Sequence, residues 1–335
     1  MSNFNVTIVG ASGAVGHELI RVLALRKFPL NKLTLLASKR SAGKKVASAF
    51  GELTIEEFST ERFSGQDFIF FATSGEHAKQ FAPIAAEAGA VVIDNSSAFR
   101  LDDNVPLVVP EVNPESVFNH RGIIANPNCS TIQMVVALNP LHRFSRIKRI
   151  VVSTYQAVSG AGQDAINELN QQLAAISKGE AAIVEQFTKQ IAFNVIPHID
   201  VFQDNGYTKE EMKMVNETWK IMGDSDIRIS ATCVRVPVTR AHSEAISIET
   251  EAFIGEAKAR ELLSQAENIR LVDERVNGGY PTPLDATESM DTYVGRIRED
   301  ISCENGLALW CVADQLWKGA ALNAVQIAEL LIRDR

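Results

Sequence analysis

Cys129 offers the chemistry most directly readable in this chain. It lies in Ala125-Asn-Pro-Asn128-Cys129-Ser-Thr-Ile-Gln-Met134. An apolar run, Gly122-Ile-Ile-Ala125, reads as a strand leading in. Ile132, Val135, Val136, Leu138 and Leu141 recur at helical spacing leading out. Asn128 is a good helix N-cap residue. The thiol is therefore expected at a helix N-terminus, where free N–H groups and the helix dipole favour the nucleophilic thiolate. The plainer reading is a small buried filler, the common fate of a lone cysteine. His242, in Arg235-Val-Pro-Val-Thr-Arg240-Ala-His242-Ser, suits proton transfer near neutral pH; the alternative is a hydrogen-bonded structural histidine. Arg100 is a permanently charged planar fork suited to phosphate or carboxylate, or else an ordinary surface charge. Gln156, at a strand end before glycines, is placed to orient a polar substrate atom or to cap a turn. Glu210 and Lys213 share a helical face at i,i+3, a spacing that usually marks a solvated ion pair.

The elements that must hold these residues read as two halves. A strand over 4–9 runs into Gly10-Ala-Ser12-Gly13-Ala14-Val15-Gly16 and then a helix over 17–26. Strand, glycine-rich turn and helix are the context of a dinucleotide fingerprint, with backbone N–H groups holding a pyrophosphate. The spacing is GxxGxxG, and tight turns use glycine for their own reasons. The next strand, 33–37, ends in Ser38-Lys39-Arg40-Ser41-Ala-Gly43. An NAD site would place an acidic residue there for the ribose 2′-OH. None is present, and Lys39 and Arg40 with the Ser38 and Ser41 hydroxyls suit a 2′-phosphate. NADP(H) is expected over NAD, against the alternative of a solvated basic loop. Strands at 67–72 and 90–94 flank a helix over 75–88, continuing the alternation of a doubly wound parallel sheet.

The second half reads as α+β. A strand over 147–155 leads through Gln156-Ala-Val-Ser159-Gly160-Ala-Gly162 into a helix over 164–177. Long strands at 226–236 and 244–251 are expected to be antiparallel. A helix near 256–264, a proline-stiffened loop from Gly279, a strand at 306–312 and an amphipathic helix over about 316–332 follow. That final helix is expected to pack back on the first domain. The expected division is 1–129 with 316–335 for a Rossmann-type nucleotide domain, and 130–315 for a catalytic and dimerisation domain.

A chain of 335 residues suggests two domains. It is 46% hydrophobic and 22% charged, ordinary for a globular enzyme. A net charge of −8 argues against nucleic acid or an anionic membrane as partner. No apolar run approaches the ~20 residues of a membrane span. The polar Ser-Asn after Met1 does not read as a signal peptide. Four cysteines show no zinc-type spacing, so no metal is expected, and a cytoplasmic location with reduced thiols is the simplest expectation.

Taken together these motifs resemble the bacterial aspartate-β-semialdehyde dehydrogenases. Gly10-Ala-Ser-Gly-Ala-Val-Gly16, Ala-Ser-Lys-Arg-Ser-Ala-Gly43, Asn-Ser-Ser-Ala-Phe-Arg100, Asn-Pro-Asn-Cys-Ser-Thr131, Gln-Ala-Val-Ser-Gly-Ala-Gly162, Glu-Glu-Met-Lys213 and Arg235 through His242-Ser fall in the family's order. The resemblance implies NADPH-dependent conversion of L-aspartyl-4-phosphate to L-aspartate 4-semialdehyde and phosphate, a step toward lysine, diaminopimelate, threonine and methionine. It implies Cys129 as acyl-thioester nucleophile, His242 as acid–base and Gln156 as the residue positioning the thioester. It assigns Arg100, Lys213 and Asn128 to the phosphate, Arg235 to the substrate α-carboxylate and Glu210 to its α-ammonium. The resemblance gives Ser12, Gly13, Ala14, Val15, Arg40, Ser41, Ser159, Gly160 and Gln315 to NADP, beside the Gly10 turn and Ser38. It also implies a homodimer through the second domain, possibly a tetramer. His198 departs from the neutral amide expected at its position. Two alternatives share these features: a related reductase of N-acetyl-γ-glutamyl phosphate, and a catalytically silent NADP-binding paralogue.

Overall fold

The computed structural model describes residues 3–333, which divide into two compact units. Residues up to Asn128 together with those from Ala320 onward form the first, and Cys129–Gly319 the second.

In the first unit, β1 (Phe4–Val9), α1 (Ala14–Leu25), β2 (Leu30–Ala37), β3 (Lys45–Ser48), β4 (Gly51–Glu57), β5 (Phe68–Phe71), α2 (Gly75–Glu87), β6 (Val91–Asp94) and β7 (Ile123–Ala125) follow in order. They build a seven-stranded sheet, β3-β4-β2-β1-β5-β6-β7. Every pair in it is parallel except β3–β4. Parallel strands covered on both faces need continuous apolar runs, and Phe-Ile-Phe-Phe of β5 is wholly buried. The Ser74 hydroxyl caps α2 by accepting from the His77 N–H at 3.3 Å. The hairpin β3–β4 has no counterpart in the sequence reading. Its residues are mostly exposed or half-buried, so no apolar run betrays it.

The last helix, Leu322–Ile332, belongs to this first unit. It is not amphipathic as expected: Leu322 through Ala328 are buried in succession. Two of those residues are polar. Asn323 Nδ2 donates to Val108 O at 3.0 Å and to Asn126 Oδ1 at 2.8 Å. Arg26 Nε donates to Glu329 Oε1 at 2.9 Å.

The second unit contains α3 (Cys129–Phe144), β8 (Ile147–Gln156), α4 (Gln163–Ser177), α5 (Lys209–Met222), β9 (Arg228–Arg235), β10 (His242–Thr250), α6 (Glu256–Ser264), β11 (Ile269–Leu271), α7 (Pro283–Ala286), β12 (Thr292–Glu299) and β13 (Gly306–Ala313). A π-helical turn, Trp317–Ala321, replaces the first turn expected of the last helix. The sheet order is β11-β12-β13-β10-β8-β9. β9 and β10 run in opposite directions as expected, but they do not pair: β8 lies between them. β10 is antiparallel to β8 and β13, and β8 and β9 are parallel. The segment between them holds α4 and α5, enough chain for a crossover.

One face of this sheet positions the chemistry. Side chains alternate along each strand, so every second residue shares a face. On β8 that face reads Ile150, Val152, Thr154, Gln156. On β9 it reads Ala231, Cys233, Arg235, and on β10, Ile248, Ile246, Glu244, His242. The register pairs Val152 with Ile246, Thr154 with both Cys233 and Glu244, and Gln156 with Arg235. The apolar rows pack with Met134, Leu138 and Leu141 of α3 and Leu307 and Leu309 of β13. The rows turn polar toward the end that carries Gln156, Arg235 and His242.

Candidate active site

Cys129 opens α3, directly after Asn128, and is half-buried. No acidic side chain lies in the first turn of α3 to oppose a thiolate there. The surroundings of the other three thiols oppose ionisation. Burial, with Glu210 next, pushes Cys233 up, and burial with Glu244 pushes Cys311 well up. Burial, with Asp300 next, also raises Cys303. A Cβ built on Gly319 would lie 2.7 Å from the Cys129 Cβ, so the π-helical turn presses against Cys129.

The peptide of Ala157, just past β8, organises the polar end of the sheet. Its N–H donates to His242 Nδ1 at 3.0 Å, and its carbonyl accepts from Arg235 Nη1 at 2.6 Å. With Nδ1 accepting, the neutral ring carries its proton on Nε2. In this state His242 is a donor at Nε2; accepting a proton there requires giving up the Ala157 bond. His242 is fully buried, and burial followed by the Arg235 charge holds it well below the usual histidine range. Gly160 lies over both groups. A Cβ there would sit 2.9 Å from Arg235 Nη1 and 3.2 Å from His242 Nε2, so only glycine leaves the space open. The His242 carbonyl accepts from Gln133 Nε2 at 3.4 Å.

Gln156, Glu210 and Lys213 form a second chain of contacts. Gln156 Nε2 donates to Glu210 Oε1 at 3.4 Å, and Lys213 Nζ donates to Glu210 Oε2 at 3.0 Å. Lys213 also reaches Asp200 Oδ2 at 2.8 Å. Burial opposes the Lys213 charge, but Glu210 and Asp200 outweigh it and raise its pKa. Glu210 is 5% exposed, so this is not the solvated pair that the spacing alone suggested. Burial works against the Asp200 carboxylate, yet Lys213 brings it below the usual range. Thr208 starts α5 with a capping box, its hydroxyl accepting from Glu211 N and Glu211 returning a bond to Thr208 N. Arg235 is nine-tenths buried; burial lowers it, with Glu210 and a Cys129 anion acting in the opposite sense.

In the same unit Ser159 Oγ donates to Thr239 O at 2.5 Å, and Gln315 Nε2 bonds Ser159 Oγ. Gln315 Oε1 accepts from Ala241 N at 2.7 Å. The structure thus gathers Gln156, Ser159, Gly160, Glu210, Lys213, Arg235, His242 and Gln315 about one sheet end. The sequence reading did not single out Ala157, Asp200, Gly319 or Asp314. Ala157 acts through its main chain, which leaves no side-chain signal. His198 stacks on Phe202 with ring centroids 4.4 Å apart.

The first unit holds the glycine-rich turn. Gly10 has φ +90°, and a Cβ there would come 2.2 Å from Ala72 O. Gly13 precedes α1 without any side-chain cap, and no acidic residue lies in the first turn, so that N-terminus suits an anion. Ser12 and Gly13 are exposed, and Ala14 and Val15 half-buried. At the end of β2, Ser38 and Arg40 are exposed, whereas Ser41 is buried. Arg100 is 8% exposed, with Nε donating to Asn126 O at 3.0 Å and Nη2 to Asn95 O at 2.9 Å. Asp94, one strand end away, is raised by burial, with Ser96 and Arg100 opposing.

Comparison with known proteins adds a consistent picture. Residues 5–120 match the family model described as semialdehyde dehydrogenase, NAD binding domain. Residues 138–318 match the one described as semialdehyde dehydrogenase, dimerisation domain. The chain is 53% identical over 335 residues to an aspartate-semialdehyde dehydrogenase of Aquifex aeolicus, covering 99% of this chain and 98% of that one. It is 50% identical over 337 residues to that of Bacillus subtilis, covering 98% and 97%. Aspartate semialdehyde dehydrogenase II of Vibrio cholerae, solved in complex with ASA, superposes with a TM-score of 0.96 at 50% identity, covering 100% and 99%. The Candida albicans enzyme, solved with NADP, gives 0.76 at 26% identity, covering 98% of each chain.

Proposed function

The chain belongs to the aspartate-semialdehyde dehydrogenase family, and we propose that it interconverts L-aspartyl-4-phosphate and L-aspartate 4-semialdehyde through a thioester on Cys129. The observation that carries this reading is the Ala157 peptide. It holds His242 by its N–H and Arg235 by its carbonyl, in the unit whose α3 opens with Cys129.

The Cys129 thiolate attacks the acyl phosphate; a C–S bond forms and phosphate leaves with the electron pair of the broken C–O bond. Arg100, Lys213 and Asn128 hold the phosphate, and cations there stabilise both the bound and the departing anion. Arg235 binds the α-carboxylate as a fork, and Glu210 takes the α-ammonium. Lys213, paired with both Glu210 and Asp200, holds the Glu210 carboxylate in place for that purpose. Gln156 orients the thioester carbonyl. NADPH, when bound, supplies the hydride that reduces the thioester. His242 meets the oxygen that gathers charge with a hydrogen bond from its Nε2–H, and holds the tetrahedral alkoxide until it collapses to the aldehyde and the Cys129 thiolate departs. A substrate with an acylated nitrogen would offer Glu210 no ammonium, which disfavours the N-acetyl-γ-glutamyl-phosphate alternative.

The NADP site we assign to the first unit is the turn Gly10, Ser12, Gly13, Ala14 and Val15, with Ser38, Arg40 and Ser41 at the 2′-phosphate. The open α1 N-terminus supports the pyrophosphate position, and the lack of an acidic residue in 38–45 supports NADP over NAD. Ser159, Gly160 and Gln315 complete the cofactor's contacts, and no metal is required. The second unit is proposed to form a homodimer, possibly a dimer of dimers. Tyr155 and Trp310, whose ring centroids lie 5.3 Å apart, are on the sheet face opposite to that of Gln156. No helix among the described residues is long and apolar enough to cross a membrane; a cytoplasmic enzyme is proposed.

The test is purified protein with L-aspartate 4-semialdehyde, phosphate and NADP⁺, followed by NADPH absorbance. A phosphate-dependent rate that prefers NADP⁺ to NAD⁺ supports reaction, cofactor and anion site together. A rate independent of phosphate would overturn the thioester scheme.

A further inference from the structure

Asp314 follows β13 and is fully buried. Its two oxygens serve different parts of the second unit. Oδ1 accepts from the N–H groups of Leu316 at 2.9 Å and Trp317 at 3.1 Å, where the π-helical turn begins. Oδ2 accepts from Arg240 Nε and from Glu288 N, each at 2.7 Å. The Asp314 carbonyl accepts from Gly319 N at 3.2 Å. Gly319 is the residue whose Cβ would collide with Cys129, and Arg240 lies two residues before His242.

The loop between those two is under strain. Ala241 has φ +69°, a left-handed conformation that a non-glycine residue adopts only when its surroundings impose it. Arg240 on one side is gripped by Asp314. Ala241 N is gripped by Gln315, the residue after Asp314. Arg240 also lies over the Trp317 ring, 5.8 Å from its centroid.

We propose that Asp314 is a positioning residue that locks the His242 loop to the turn seating Cys129, so that His242 and the nucleophile are set by one carboxylate. The inference rests on the roles proposed above for Cys129 and His242. Misplacement of a reacting group by about 1 Å can cost about a hundredfold in rate. Substrate binding is left to Arg235, Glu210 and Lys213, which Asp314 does not touch.

The experiment compares wild type with Asp314→Asn and Arg240→Lys. The amide keeps the size and one acceptor but turns an N–H toward the Arg240 and Glu288 donors. Lysine keeps the charge but loses the fixed planar Nε. For both variants kcat is expected to fall about tenfold to a hundredfold, with little change in KM for the semialdehyde or in melting temperature. The rate of Cys129 alkylation by iodoacetamide is expected to change alongside. A folded Asp314→Asn protein with wild-type kcat and alkylation rate overturns the proposal. Loss of kcat only in proportion to loss of folded protein also overturns it, since a purely structural role predicts that. Should Asp314→Asn fail to fold, Arg240→Lys decides by the same readings. Should wild type itself show no phosphate-dependent rate, the functional reading fails instead, and the alkylation rates still test Asp314.

Discussion

Replacing Glu244 by Gln should stabilise this protein, and by more as the pH rises. Glu244 lies in the second row of the sheet face, opposite Thr154 and Cys311. It is fully buried, and neither carboxyl oxygen finds a hydrogen-bond partner within bonding distance among the described residues. Burial holds its pKa well above the ordinary 4.5, with the Gln133 amide opposing only in part. The folded protein therefore keeps a proton that the unfolded chain releases near pH 4.5. Above that pH the unfolded state binds fewer protons, so stability falls as pH rises, until the folded carboxyl itself ionises. One proton corresponds to about 1.4 kcal/mol per pH unit. Glutamine has the same shape, no proton to lose, and an amide that can donate to the otherwise unmatched Gln133 Oε1. The advantage of Glu244→Gln is thus expected to grow as the pH rises from 5 toward 7, by at most about 1.4 kcal/mol per pH unit. Urea denaturation of both proteins at pH 5, 6 and 7 measures it, and the difference cancels the other titrating groups. A difference that is flat with pH, or a variant less stable at pH 7, would refute the argument.

His242 works in the opposite sense. Its lowered pKa means that the unfolded state gains a proton first as pH falls below about 6.5, so stability is lost toward acid. His242→Gln should remove up to about 1.4 kcal/mol per pH unit of that loss; identical acid sensitivity in urea melts would contradict the buried neutral ring. Cys129→Ala should abolish turnover while NADP⁺ binding, followed by fluorescence titration, persists, and residual turnover would sink the thioester. Arg40→Ala should weaken NADP⁺ by about 1.5–3 kcal/mol, the range for a charged hydrogen bond, and leave NAD⁺ use nearly unchanged; equal losses for both nucleotides would place Arg40 away from the 2′-phosphate.

What the sequence disclosed follows its strongest periodicities. The buried strand β5 is a continuous apolar run, β6 an apolar run ending in Asp94, and β1 is apolar at four of its six positions; all are bounded by turn residues, and they were legible. Strands β3, β4, β11 and β12 were not, because their residues are half-exposed, or because β12 alternates too weakly to stand out. The direction of β9 depends on a long crossover, and strand direction leaves no local mark. At the site, Cys129 after Pro127-Asn128 and His242 after a proline turn advertise themselves by type. Glu210 and Lys213 looked like a surface pair, since spacing along a helix does not reveal which face is buried. Asp314 and Gly319 matter through main-chain bonds and lack of a Cβ, which only the folded chain displays. The gathering of Gln156, Arg235 and His242 is written in the alternation of three strands, but only the register brings them level.

The last helix gives the molecule an unusual order of completion during synthesis. Its residues are buried among strands and helices made from the first third of the chain, and Asn323 supplies bonds to Val108 and Asn126. The intervening segment, Cys129–Gly319, is a compact unit of its own. A ribosome therefore releases everything needed for the middle unit before the beginning of the chain can close its own core. The nascent amino-terminal sheet must wait, with apolar surface uncovered, while nearly two hundred further residues are translated. A premature stop near the end of the message would damage the part of the protein made first.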